Sequence, residues 1–492
     1  MTVRVRLPFG ALLKICNSQH SKQLLKLRVM NLKEIFNQKT TEKGDIAFSS
    51  TGNTYIDILF MSEYYNKHLD EVPSIGQTYY DKLFAMFIRD GRFGLGRRDL
   101  GRKLMDVAEC DIKSIVLAGR WDDVWQIFKN RNRNEFIEVL NVIRQEIENG
   151  NELAKKWMPR YSSKNLMVAR NIAKCWGMNK QQYGKFIKCD TVEQSLSRKE
   201  AKNIEFEHVP SLAMFKYAKR FAKGEDTAKR YSNYIDDVKN GKKKLNISTA
   251  TVYDIFKNRN NIDADVFFSK IEKIQGNWIP IIDTSASMLD DNDSYGKAVS
   301  IGHYLSKCST YMPDYAISFS SKPRLLKLGE KTAEPPYWIR SKYFSTDNSN
   351  YSKEIGSLYT GDSTNTDFGA VMDLLKSLDK ESAPEYLIVL SDMGFDYGSK
   401  TSKDCTMQYF KENGVATKII WWNLNSRHTT CPETDDYGNI FMSGYSPMLL
   451  KYLSTGFNAK DFLDNMLKEY AKKLIESKLI ESKLIENKDK LA

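Results

Sequence analysis

Ile281-Ile282-Asp283-Thr284-Ser285-Ala286-Ser287-Met288 is an apolar run that ends on an aspartate and opens into a loop with two hydroxyls spaced two residues apart. The run preceding the aspartate, 278–282, is short, apolar and bounded by turn residues, as a strand buried on both faces should be. Downstream, β-rich apolar runs at 315–320, 386–390 and 417–422 alternate with helical spacing at 295–307, 368–378 and 404–412. Such alternation requires right-handed crossovers, so the segment predicts a doubly wound α/β domain with a mainly parallel sheet. Ligands of these sheets gather at the carboxyl ends of the strands. The stretch 329–360, rich in Tyr, Ser, Asn and Pro, breaks the alternation and reads as an irregular insertion near that edge.

Upstream the period changes. Apolar residues recur at spacings of three and four over 79–88, 97–110, 122–128, 134–147, 165–176, 212–222 and 227–238, which predicts an all-α region of helical-repeat type. Paired helices joined by short polar turns can stack as a solenoid or close into a ring, because one pair alone cannot bury its apolar face. No repeat of fixed period accompanies them. The first forty residues are basic and weakly patterned, and the tail repeats Lys-Leu-Ile-Glu-Ser with a period of five, which fits neither a helical stripe nor a heptad. The expected division is a flexible leader over 1–48, a helical domain over 49–275, an α/β domain over 276–468 and a charged helix that frays into disorder over 469–492.

With 492 residues, 41% of them hydrophobic and 28% charged, the chain exceeds what one core usually organises. No stretch approaches the roughly 18 apolar residues of a membrane span, and the N-terminus lacks the order of a secretory signal, so a cytoplasmic location with no membrane contact is expected. Cys16, Cys110, Cys175, Cys189, Cys308, Cys405 and Cys431 are scattered singly, and the five histidines lack zinc-ligand spacing, so reduced thiols and no zinc site are expected. Net charge is +12, yet residues 1–275 hold 49 Lys and Arg against 33 Asp and Glu, whereas the remainder holds 25 against 29. A polyanion such as RNA would therefore meet the N-terminal half.

Two further segments join the Asp283 loop. Thr364-Asn365-Thr366-Asp367-Phe368-Gly369 precedes a predicted helix, and Leu387-Ile388-Val389-Leu390-Ser391-Asp392-Met393 is a strand closing on an aspartate. Mg2+ takes hard oxygen ligands in a near-ideal octahedron and keeps several of its waters. Asp283, Ser285, Ser287, Thr366 and Asp392 supply that inventory for Mg2+ or Mn2+, with one position open for an acidic residue of a protein partner; Thr364 competes with Thr366 for the middle place. In this order the three segments resemble the metal-ion-dependent adhesion site of von Willebrand factor A domains. The usual loop there carries glycine where this chain has Ala286, a departure of one methyl group. The resemblance implies the five ligands just named.

The N-terminal half resembles, more loosely, the region preceding such a domain in a family related to the Ro autoantigen, the TROVE-type RNA-binding proteins. The stretches that carry the likeness are Ser49-Ser50-Thr51-Gly52-Asn53, the run from Ile88-Arg89-Asp90-Gly91 to Arg98-Asp99-Leu100, Gly119-Arg120-Trp121-Asp122-Asp123 and His208-Val209-Pro210-Ser211. It implies a helical ring that binds RNA, closed by the metal-bearing domain.

Read by their own chemistry, these stretches are plainer. Gly91-x-x-Gly94-x-Gly96 follows no strand and lacks the Gly-Lys-Ser/Thr ending of a phosphate loop, so it reads as a turn before a capped helix. Arg89, Arg92, Arg97, Arg98 and Arg102 are candidates for RNA phosphates, or else a solvated face. Asp122 reads as a helix cap with Trp121 packed beneath it. Catalysis finds no support: phosphotransfer of the haloacid dehalogenase kind needs a second aspartate where Ser285 stands, and Ser391 lies in no G-x-S-x-G elbow. The sequence thus predicts a non-catalytic binding protein, holding RNA or a ribonucleoprotein through its helical half and a protein partner through a metal. The rival reading is a protein-only scaffold whose basic charge is incidental.

Overall fold

A strand covered on both faces must be apolar throughout, and the two strands bearing the candidate aspartates are buried at every residue. The computed structural model describes residues 37–489 except 42, 130, 162–164, 190, 198–201, 203, 248, 337–338, 340–341, 344–348, 363–364, 377, 379, 426–428, 434–438, 446 and 453–458. Most of the leader, and Thr364, lie outside the described residues. Residues 39–492 form one compact unit.

Two short strands come first, β1 (Gln38–Thr40) and β2 (Ile46–Phe48). Six more form the main sheet: β3 (Trp278–Asp283), β4 (Tyr315–Phe319), β5 (Arg324–Lys327), β6 (Tyr386–Ser391), β7 (Lys418–Asn423) and β8 (Ile440–Ser443). Their order is β5-β4-β3-β6-β7-β8, parallel except for β5, which runs antiparallel to β4. From β3 the chain moves outward to β4 on one side and later to β6 on the other. That reversal opens a crevice at the carboxyl ends of β3 and β6, where Asp283 and Asp392 emerge.

The four strands expected from periodicity are present. β5 and β8 were not expected: each has four residues, and β5 sits exposed at the sheet edge except for Leu326, so neither carries a readable alternation. The insertion expected to be irregular contains the helix Asn350–Ser357, capped by Ser349. The helix Ser294–Cys308 is buried along almost its whole length, and Gly302 lets it approach the sheet, because a Cβ there would stand 2.4 Å from Ile282 Cδ1.

In the helical region the expected helices appear as Tyr79–Arg89, Arg98–Val107, Trp121–Phe128, Arg133–Glu148, Leu166–Cys175, Ser211–Phe221 and Glu225–Lys239. Several shorter ones lie among them, including Thr54–Phe60, Ile112–Ala118, Glu152–Trp157, Lys180–Phe186, Val252–Asn258 and Ala264–Lys270. Each spans less than two turns, so its periodicity is weak. Their signal lies in the caps: Asn53, Asp111, Asn151, Asn179, Thr251 and Asp263 each accept backbone N–H bonds from the first turn. The glycine turn is a helix stop. Leu95, Gly96 and Arg97 N–H groups close onto carbonyls of Phe87, Asp90 and Ile88, and a Cβ on Gly94 would lie 2.0 Å from Phe87 O.

The helices and the sheet share one continuous hydrophobic core. Asn423 and Ser443 side chains donate to Phe60 O and Leu59 O, and Phe60 packs edge-on against Phe441 at 5.2 Å. Arg97 and Lys297, from the two regions, both pair with buried Glu63, and both guanidinium and ammonium lie over the Tyr445 ring. Burial lowers the Lys297 pKa to about 8 against the pull of Glu63. The charged helix expected in the tail begins upstream of it, as Ala459–Asp489, whose Tyr470 donates to Asp90 Oδ2 and whose Asp464 accepts from Tyr80. No helix of the described residues is long and apolar enough to cross a membrane.

Fully buried Asp123 joins Arg89 at 2.6 Å and Arg102 at 2.5 Å, and also accepts the Arg120 N–H. Its loss leaves guanidinium groups without their carboxylate, so Asp123→Ala should lower the unfolding free energy by about 3–5 kcal/mol in urea denaturation.

Candidate functional site

The Asp283 loop leaves the centre of the sheet and is held by its own polar groups. Asp283 Oδ1 accepts the Ser285 N–H at 2.9 Å, and Oδ2 accepts the Ser391 hydroxyl at 2.6 Å from the neighbouring strand β6. Ser285 and Ser287 hydroxyls lie 3.0 Å apart, so the alternate residues of the loop turn their oxygens to one side. Ala286 between them is exposed, and Ser287 is half-buried.

Asp392 follows Ser391 and is fully buried. One of its oxygens accepts the Gly394 N–H at 3.0 Å; the other, Oδ2, is buried with no hydrogen-bond partner. Met393, next in the chain, is buried with φ of 66°, a left-handed conformation that a side chain of its size rarely adopts. Strain and an orphaned carboxylate oxygen thus fall on adjacent residues. Burial, and then the negative charge of Asp392, push the Asp283 carboxyl up to about 7, against the hydrogen bonds from Ser391 and Ser285. Neither aspartate has an ion-pair partner among the described residues.

Thr366 is fully buried in the loop before the helix Phe368–Leu375. Its loop is tied to the same edge from two sides: Asp367 N–H donates to Ser320 O just past β4, and Thr366 N–H and C=O bond Asp396 of the loop after β6. Thr366 Oγ1 accepts from Lys43 Nζ at 2.5 Å. The five residues read from sequence therefore all lie at the carboxyl edge of the sheet. Sequence reasoning passed over three neighbours: Ser391 as a partner of Asp283, Asp396 as the anchor of Thr366, and Lys43. Only Ser391 at the end of strand β6 and Asp396 after it carried a local signal, since Lys43 lies more than 300 positions from Thr366.

The chemistry of the donor set is hard oxygen: two carboxylates and three hydroxyls, with no nitrogen or sulfur among them. A cluster of buried negative charge with an unpartnered oxygen is relieved by a small, hard dication, and Mg2+ and Mn2+ suit such ligands. The residues present fit the group.

The five candidate arginines are placed differently from one another. Arg89 is buried on Asp123, Arg97 on Glu63, and Arg102 bonds Asp99, Asp122 and Asp123. Arg92 donates to Leu117 O and lies 3.6 Å from Asp90. Arg98 is exposed. Arg89, Arg92, Arg97 and Arg98 line a cleft of about 1910 Å³ whose walls carry eight basic and eight acidic residues, so it is not a cationic sink. Residues 51–150 hold 14 Lys and Arg against 16 Asp and Glu. The basic surplus lies further on, in residues 151–250, with 22 against 10, and Lys174, Lys185, Lys216, Lys219 and Lys242 there are exposed. Asp122 and Trp121 sit in the first turn of the helix Trp121–Phe128, with Asp122 bonded to Arg102 and Arg120. Six cysteines lie among the described residues as free thiols, four of them buried.

Comparison with known proteins gives two family matches. Residues 153–281 match the Domain of unknown function (DUF2828), and residues 277–488 match the Domain of unknown function (DUF7788). No curated protein matches the chain. Among solved structures, the crystal structure of Deinococcus radiodurans RO (RSR) protein is similar with a TM-score of 0.41 and 10% sequence identity, over 84% of this chain and 93% of that one.

A raised carboxyl pKa in the folded state means that the folded protein holds a proton that the unfolded chain has released. The stabilisation is complete below about pH 4 and is lost as pH rises to about 7. In chelator-treated, divalent-free buffer, stability should therefore fall across that window, and Asp283→Asn should flatten the fall; thermal denaturation at stepped pH measures both.

Proposed function

We propose that the carboxyl edge of the sheet is a metal-dependent docking site of the von Willebrand factor A type. The observation that carries this reading is the pair of buried carboxylates at adjacent strand ends, one with an orphaned oxygen. Asp283, Ser285, Ser287, Thr366 and Asp392 would hold Mg2+ or Mn2+, directly or through water. When bound, the ion supplies a positive charge able to accept a carboxylate oxygen from a protein partner. The chain's own groups do the rest: Ser391 and the Ser285 N–H orient Asp283, the Gly394 N–H orients Asp392, and Asp396 fixes the Thr366 loop. Exposed Tyr397, with 76% of its surface free, stands on the same loop as Asp396 and offers a partner an aromatic face. The reading is of a binding protein with no catalytic step.

Equilibrium titration with Mn2+ tests it. The wild-type chain should bind one ion, and Asp392→Ala should weaken binding on the order of 100-fold or more, because it removes half of the site's charge. A wild-type chain that takes up no Mn2+ at millimolar concentration would refute the reading.

A second reading concerns the helical half, and the observation that favours it is the basic excess of residues 151–250, many of whose lysines are exposed. We propose that RNA, if bound, lies on these lysines and not on the arginines of residues 89–102, whose charge is mostly met by carboxylates. Filter binding of single-stranded RNA across a salt series should give an affinity that falls steeply with salt. Changing Lys242, Lys243 and Lys244 together to Glu should reduce the logarithmic slope by about 2. Affinity equal to that of a control protein of like charge would leave the protein-only scaffold as the answer.

A further inference from the structure

Ahead of the helices, the chain crosses the carboxyl edge of the sheet. The turn from Thr41 to Asp45 is closed by Thr41 N–H to Asp45 O at 2.8 Å and Gly44 N–H to Thr41 O at 3.0 Å. It is pinned to the edge at several points. Thr41 Oγ1 donates to Phe395 O at 2.8 Å, Gly44 pairs with Asp396, and Phe48 exchanges two backbone bonds with Cys431. This strap delivers Lys43 Nζ to within 2.5 Å of Thr366 Oγ1 and 3.6 Å of Asp396 Oδ1.

We propose that Lys43 is a resident cation of this edge, that it competes with a divalent ion for Thr366, and that the strap 41–48 is therefore a lid which metal binding loosens. The inference rests on the metal reading of Thr366 above. The physical ground is that one hydroxyl oxygen cannot serve both cations well. An ammonium nitrogen 2.5 Å away, donating its hydrogen to Oγ1, takes electron density that a metal at roughly 2.1 Å also needs, and the two positive centres would stand less than about 5 Å apart. Repulsion at that range favours one occupant or the other.

The lysine is built to leave. Its side chain is about a third exposed, at 32%, and it is held by one hydroxyl and one partly exposed carboxylate, so it can swing into water on its flexible stem. Its release costs the strap an anchor beside the Gly44 bridge. By linkage, whatever the ion does to Lys43, Lys43 does to the affinity for the ion. A partner's carboxylate arriving with the metal would then meet an edge already uncovered by the lid.

Mn2+ titration of the full chain by calorimetry tests this on wild type, Lys43→Met, Lys43→Gln and a distant exposed control, Lys411→Met. Amide hydrogen exchange at Gly44 and Phe48 is followed with and without the ion. Both Lys43 variants should bind Mn2+ about tenfold or more tightly than wild type and Lys411→Met, and Mn2+ should speed exchange at Gly44 and Phe48 in wild type. Equal or weaker binding by the Lys43 variants overturns the lid while leaving the metal reading intact. Absence of binding by all four chains removes the metal reading, and the lid with it.

Discussion

Two carboxylates buried side by side at the ends of adjacent parallel strands set the terms for the C-terminal region. Asp283 and Asp392 repel each other where little water screens them, and burial disfavours the charged form of Asp283. The surrounding chain answers only in part. Ser391, Ser285 and Gly394 donate hydrogen bonds, yet one oxygen of Asp392 has none, and no arginine or lysine forms an ion pair with either aspartate among the described residues. At the same edge Lys43 is seated on Thr366.

The topology explains why the carboxylates meet. β3 sits at the centre of the sheet with β4 on one side and β6 on the other, so the loops after these strands project into one crevice. The same arrangement brings Thr366 to the edge through Ser320 and Asp396. Elsewhere the molecule meets its buried charges internally. Asp123 serves Arg89 and Arg102, and Glu63 serves Arg97 and Lys297. Those clusters are ion pairs within the chain, whereas neither Asp283 nor Asp392 forms an ion pair among the described residues.

Much of this was legible early, for reasons that differ by element. The strand-loop runs at Asp283 and Asp392 could be read because a doubly buried strand must be apolar to its last residue, so a terminal aspartate stands out. Long helices such as Arg133–Glu148 announced themselves through several turns of periodicity, whereas Ile112–Ala118 and Lys180–Phe186 did not, though Asp111 and Asn179 capped them. The arginines of residues 89–102 illustrate the opposite case. A cluster of positive charge in sequence said nothing of the carboxylates folded against it, and the surplus that remains exposed is the lysine surface further along.

What the sequence determined by itself was local: the alternation of strand and helix, the hard-oxygen character of three loops, and the basic excess of the first half. Periodicity and residue chemistry are written in neighbouring positions, so they survive without a fold. What only the tertiary structure decided was which distant groups share a space. Thr366 meets Lys43, Asp283 meets Ser391, and Glu63 meets Lys297 across separations of 323, 108 and 234 positions, brought together by the packing of the core and by no pattern along the chain.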